Sequence, residues 1–112
     1  MTTRYLMLEQ IDWAIKYYEY VFKAVAQRTE DPSLKFLISM IFEVKDIYML
    51  RNYIKYLDEK ILEASELGYS DIVQKLKERR LKAQTELITK IKERIRMLYK
   101  IIKNENMLFK ER

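Results

Sequence analysis

Two Glu-x-x-Asp pairs, Glu9–Asp12 and Glu43–Asp46, are the residues of this chain whose types and spacing could do chemistry. Carboxylates three apart share one helix face, so such pairs can hold Mg2+ inside an all-α cage. Little other chemistry is open. With no Cys there is no thiolate nucleophile, no disulfide and no thiolate metal site. With no His the usual general base, the commonest transition-metal ligand and the usual proton switch near neutral pH are gone as well. A single Gly leaves no glycine-rich phosphate loop.

The elements that position these acids follow from composition and period. A chain of 112 residues predicts one domain, spanning 1–112. Hydrophobic residues at 49% and charged residues at 35% exclude a disordered chain. One Gly and one Pro are too few turn residues for a β-protein, so the fold class is all-α. The N-terminal apolar run ends at Glu9 and is too short for a secretory core. Glu43, Lys45 and Asp46 break the most apolar window, so no membrane span is expected and the reading is a cytoplasmic, intracellular protein. Few Gln and Asn beside many Lys, Glu and Ile hint at heat tolerance.

Three helices are expected. Helix one runs from about Thr3 to Arg28, capped by Thr2 or Thr3. Asp31 caps a second helix that opens on Pro32 and runs unbroken to Leu67, where Gly68 provides a left-handed stop. Helix three restarts at Ser70 or Asp71 and runs almost to the end. Helix two carries a heptad with Met40, Ile47, Ile54 and Ile61 at a, and Phe36, Glu43, Leu50, Leu57 and Ala64 at d. Helix three places Leu81, Ile88, Ile95, Ile102 and Phe109 at a, with Gln84, Ile91, Leu98 and Glu105 at d. Folding the chain back around Tyr69 sets Phe36 on Ile102, Met40 on Leu98, Ile47 on Ile91, Leu50 on Ile88 and Leu57 on Leu81. Helix one adds a seam of Leu8, Ile11, Ile15, Tyr18, Phe22 and Val25, facing Leu34, Leu37, Ile41, Val44 and Tyr48. The expected architecture is an elongated up-down-up three-helix bundle. Its second and third helices form a long antiparallel coiled-coil hairpin, and the whole associates into a larger helical bundle.

The same register offers Glu43 a use other than catalysis. A charge among Phe36, Leu37, Met40, Ile41, Val44 and Ile47 is costly unless paired. The layer partner of Glu43 is Ile95, and Asp46 falls opposite Arg94. Glu43 and Asp46 are therefore expected to share Arg94 as a buried ion pair that pins register, with help from Lys16.

Surface features suggest partners. Trp13, Tyr17 and Tyr20 on helix one, and Phe42, Met49, Tyr53 and Tyr56 on helix two, remain apolar after these contacts are made. Exposed stripes of this composition mark interaction sites, and a homodimer or higher oligomer of this chain is the simplest occupant. Charge is uneven: residues 71–112 carry 13 Lys/Arg against 6 Asp/Glu, whereas residues 1–70 carry 9 against 11. Lys75, Lys82, Arg96, Lys103 and Lys110 form one heptad row that could track a nucleic-acid backbone or meet an acidic protein. No aromatic residue of that helix interleaves with the row.

The Glu43–Asp46 spacing is similar to one half of the pattern of the all-α nucleotide pyrophosphohydrolases, over four residues. That resemblance implies Mg2+-dependent nucleotide hydrolysis. The pattern's other half, Glu-x-x-Glu on the preceding helix, is not present, since Glu19 is followed three residues on by Phe22. A di-iron bundle would need Glu-x-x-His, which a chain without His cannot supply. The first reading is thus a non-enzymatic, homo-oligomeric assembly module without cofactor or metal. Non-specific nucleic-acid binding through the basic helix stands second, and carboxylate–Mg hydrolysis third.

Overall fold

A computed structural model describes the backbone of residues 4–110 and the side chains of residues 4–103. The protein is all-α, with helices α1 (Leu8–Arg28), α2 (Pro32–Ile41), α3 (Lys45–Glu66) and α4 (Ser70–Lys110), and no strand among the described residues. No described helix is long and apolar enough to cross a membrane. The molecule measures 67 × 26 × 17 Å, and its radius of gyration is 18.4 Å. A compact domain of this length would have a radius of gyration of about 13 Å.

Local chemistry accounts for the helix ends. The Asp31 side chain accepts a hydrogen bond from the Ser33 amide at 2.9 Å, and Pro32 needs no amide partner at the first turn. Gly68 adopts a φ of 77°, with its amide bonded to the Ser65 carbonyl and the Tyr69 amide to the Ala64 carbonyl. That paired arrangement closes α3 and releases the chain into α4. Ion pairs then join Asp58 to Arg80 and Asp46 to Arg94, so α4 runs back along α3.

The core is Ile11, Ile15, Tyr18 and Phe22 of α1, Ile38 of α2, Ile47 and Ile54 of α3, and Ala83, Leu87, Ile91 and Leu98 of α4. Leu50, Ile88, Ile95 and Ile102 pack half-buried against it. On α4 the buried side turns from the expected a row toward Arg80, Ala83 and Leu87, because α1 also needs cover there.

The expected unbroken second helix is corrected by a break at Phe42–Glu43–Val44. No Gly or Pro causes it. The break swings Phe42 inward, where its ring lies 5.1 Å from Phe22 and 5.4 Å from Tyr18. In a continuous helix Phe42 would face outward. The broken turn is satisfied from outside: the Glu43 carbonyl accepts hydrogen bonds from the Tyr18 hydroxyl at 2.9 Å and the Arg94 guanidinium at 2.8 Å. One consequence is that Phe36 and Met40, expected in layers with Ile102 and Leu98, stand 65% and 60% exposed. Leu37 and Tyr48, expected under α1, are exposed too.

The start of α1 differs as well. Arg4–Met7 is not helical, because buried Gln84 binds it: its amide nitrogen donates to the Arg4 carbonyl at 2.6 Å and its oxygen accepts from the Leu6 amide at 2.9 Å. Thr2 and Thr3, and the side chains of Glu105, Phe109 and Lys110, lie outside the described residues.

Candidate functional site

The acids of the two Glu-x-x-Asp pairs are brought to different places. Asp12 is held by Arg51 of α3 through two bonds, at 2.8 and 3.1 Å, and its carboxyl is lowered mainly by that pairing. About two turns further along α1, Glu19 accepts a hydrogen bond from Tyr48, which raises the phenol's pKa. Among the described residues no three acids converge into a metal site.

Asp46 receives two hydrogen bonds from Arg94, one at 3.0 Å, and Lys90 stands 3.5 Å away. The Glu43 carboxylate, expected as the buried half of this cluster, is corrected: it is 69% exposed and lies 4.0 Å from Arg94. The helix break explains the exchange, because it presents the Glu43 carbonyl to Arg94 and turns the side chain to solvent. Lys16 is likewise exposed, and the added cation at Asp46 comes from Lys90 of α4.

The Arg94 hydrogen bonds hold the Asp46 carboxyl down at about 2, against desolvation that would raise it. An acid depressed in the folded state adds stability above its unfolded pKa of about 3.9, and that gain is lost as pH falls through the folded value. Solvent screening at this third-exposed group limits the gain to about 1 kcal/mol. Thermal melts should therefore drop more steeply from about pH 4 to about pH 2 in the native chain than in Asp46→Asn. Parallel curves would show that the pair adds nothing.

A second polar cluster could not be placed from composition or spacing. Arg80 is 1% exposed and bonds Asp58 at 2.9 Å and Gln84 at 2.8 Å, with its guanidinium 4.1 Å from the Tyr5 ring centroid. Tyr5 also donates to Asp58 at 3.3 Å. The available signal was Gln84 at a heptad d position, a buried amide that needs partners.

The surface residues sort into three groups. On α1, Trp13, Tyr17 and Tyr20 are all strongly exposed, Trp13 and Tyr20 at 70%. Gln10, Ala24 and Gln27 extend them along the same heptad row, which carries no charge over its whole length. On α3, Met49, Tyr53 and Tyr56 are exposed, whereas Phe42 is corrected from a surface residue to half-buried core. On α4, Lys75, Lys82, Arg96 and Lys103 are exposed, and Lys110 falls beyond the described side chains.

Tyr53 and Tyr56 border α4. They line a groove of about 380 Å3 at the hairpin tip, together with Tyr69 of the turn and Arg79 of α4. A hollow of about 480 Å3 adjoins it, sharing Ile72, Leu76 and Arg79 and adding Lys75 and Lys82. The fold therefore brings tyrosines of a neighbouring helix to the basic row of α4. The register already pairs Leu57 with Leu81, which sets Tyr56 near Lys82, so the signal was present in the heptads. Comparison with protein-family models, curated proteins and solved structures finds no match for this chain.

Proposed function

We propose that this chain is a non-enzymatic assembly module, an elongated up-down-up helical bundle with a long antiparallel coiled-coil hairpin, which self-associates through the outer face of α1. The observation that carries this reading is the uncharged aromatic row Gln10–Trp13–Tyr17–Tyr20–Ala24–Gln27, with its three aromatic side chains in solvent. A chain of net charge +5 meets its own copy most readily where neither surface is charged. A two-fold contact sets one patch against itself, and a neutral row of large rings is self-complementary in that sense. Tyr and Trp suit the role because they bury much area for few rotatable bonds. α1 has 21 residues, roughly 31 Å of helix, along which two copies can pack side by side.

Light scattering across a range of protein concentrations tests the reading. The native chain is expected at a multiple of 13.8 kDa. Trp13→Glu/Tyr17→Glu is expected at the monomer mass with its helical circular dichroism intact, since neither side chain supports the core. A native chain that remains monomeric at high concentration would overturn it.

A further inference from the structure

We propose that the hairpin tip is a binding platform for single-stranded nucleic acid, in which Tyr53, Tyr56 and Tyr69 stack bases while Lys75, Arg79 and Lys82 hold phosphates. This reaches beyond self-association and does not rest on it, because the groove lies between α3 and α4 and the association row on the outside of α1. A single strand needs two things of a protein: flat aromatic faces open to solvent, and cations close enough to follow the backbone. The paired hollows supply both. All three tyrosines are exposed and line one groove. Arg79 is common to the groove and to the hollow that holds Lys75 and Lys82.

The charges on the lining favour an anion. Among the described residues none of Lys75, Arg79 and Lys82 takes part in an ion pair. Two acids also line the hollows. Glu63 is held by Lys60 at 3.0 Å, and Glu78 stands against the three cations. Lys60 Nζ lies 5.7 Å from the centroid of the Tyr56 ring, a further positive group at a stacking face. Tyr53 and Tyr56 are three residues apart on α3, so their rings recur after about 4.5 Å of helix rise and can meet neighbouring bases. Leu67, Ile72 and Leu76 give the groove an apolar floor, which a base covers and a bare phosphate does not. A duplex hides its base faces, so the platform is selective for unpaired strands.

Fluorescence anisotropy of a dye-labelled mixed-sequence single-stranded DNA, titrated with the full chain at several salt concentrations, is the test. Three phosphate contacts predict a slope of log K against log salt of about −2, and each of Lys75→Gln, Arg79→Gln and Lys82→Gln should flatten it by about 0.7. Tyr56→Ala and Tyr53→Ala should each weaken binding about tenfold, and Tyr56→Phe should retain it, because the ring and not the hydroxyl stacks. The duplex of the same sequence should bind at least tenfold more weakly. Absence of binding at low salt would overturn the proposal. So would equal affinity for the duplex, displacement by inorganic polyphosphate as effective as by unlabelled strand, or indifference to the tyrosine substitutions. The last three outcomes would reduce the tip to a general positive surface, and the first would leave it with no nucleic-acid role at all.

Discussion

Replacing Arg80 with Met will lower the unfolding free energy by about 3 kcal/mol and the melting temperature by on the order of 10 °C. Arg80 is 1% exposed and its guanidinium is well partnered: two bonds go to Asp58, at 2.9 and 3.4 Å, one goes to Gln84 at 2.8 Å, and the Tyr5 ring covers one face. Met fills most of the same volume with a flexible apolar chain, so the loss reports broken bonds more than a cavity. Asp58 would keep only its bond from Tyr5. Its carboxylate is a third exposed and regains some water, which holds the cost below that of a fully buried acid. Gln84 would keep its bonds to Arg4 and Leu6, so the N-terminal segment should loosen without detaching. Denaturant unfolding measures the change, and a double-mutant cycle with Asp58→Asn isolates the pair. A loss below about 1 kcal/mol would mean that the buried guanidinium costs nearly as much to desolvate as its bonds return.

Arg94→Leu will cost about 2 kcal/mol, and Glu43→Gln will change stability by less than about 0.5 kcal/mol. Arg94 joins α4 to the helix break twice, through the Asp46 carboxylate and through the carbonyl of Glu43. Without it Asp46 keeps a single weak cation, Lys90 at 3.5 Å, and the Glu43 carbonyl keeps only the Tyr18 hydroxyl. The Glu43 carboxylate is open to solvent and is not needed for either contact. Thermal melts of the two variants at neutral pH separate the two roles. A large effect of Glu43→Gln would mean that the charge itself anchors the break.

Much of the fold is legible in the sequence, and the legible parts share a physical cause. Helix class, the turn at Gly68, the Asp31–Pro32 start and the buried seam of α1 all depend on residues close in sequence or on a simple apolar period. The close packing of α4 on α3 was expected from their two heptads, although the outer layers at Phe36 and Met40 do not form. The helix break was not. Heptad period carries no record of a competing aromatic cluster, and Phe42 left its helix because Tyr18 and Phe22 offered ring contacts while Tyr18 and Arg94 offered donors for the freed carbonyl. Local pattern favoured the continuous helix, and packing from α1 and α4 outweighed it.

Of the surface, Trp13, Tyr17 and Tyr20 of α1 and the basic row of α4 follow from spacing alone. Their use depends on neighbours that spacing does not name. Whether Tyr53 and Tyr56 face empty solvent or the cations of α4 is set by how α3 and α4 rotate against each other, and that rotation answers to the volume of every side chain between them. From the sequence come the all-α class, the helix start at Asp31–Pro32, the helix stop at Gly68 and the accumulation of charge on α4, because these follow from short-range period and composition. Long-range packing alone sets Glu43 outside and Arg80 inside, and gathers three tyrosines in one groove with Arg79. Each of those outcomes is a balance of desolvation against hydrogen bonding and packing, and the partners that settle the balance come from distant parts of the chain.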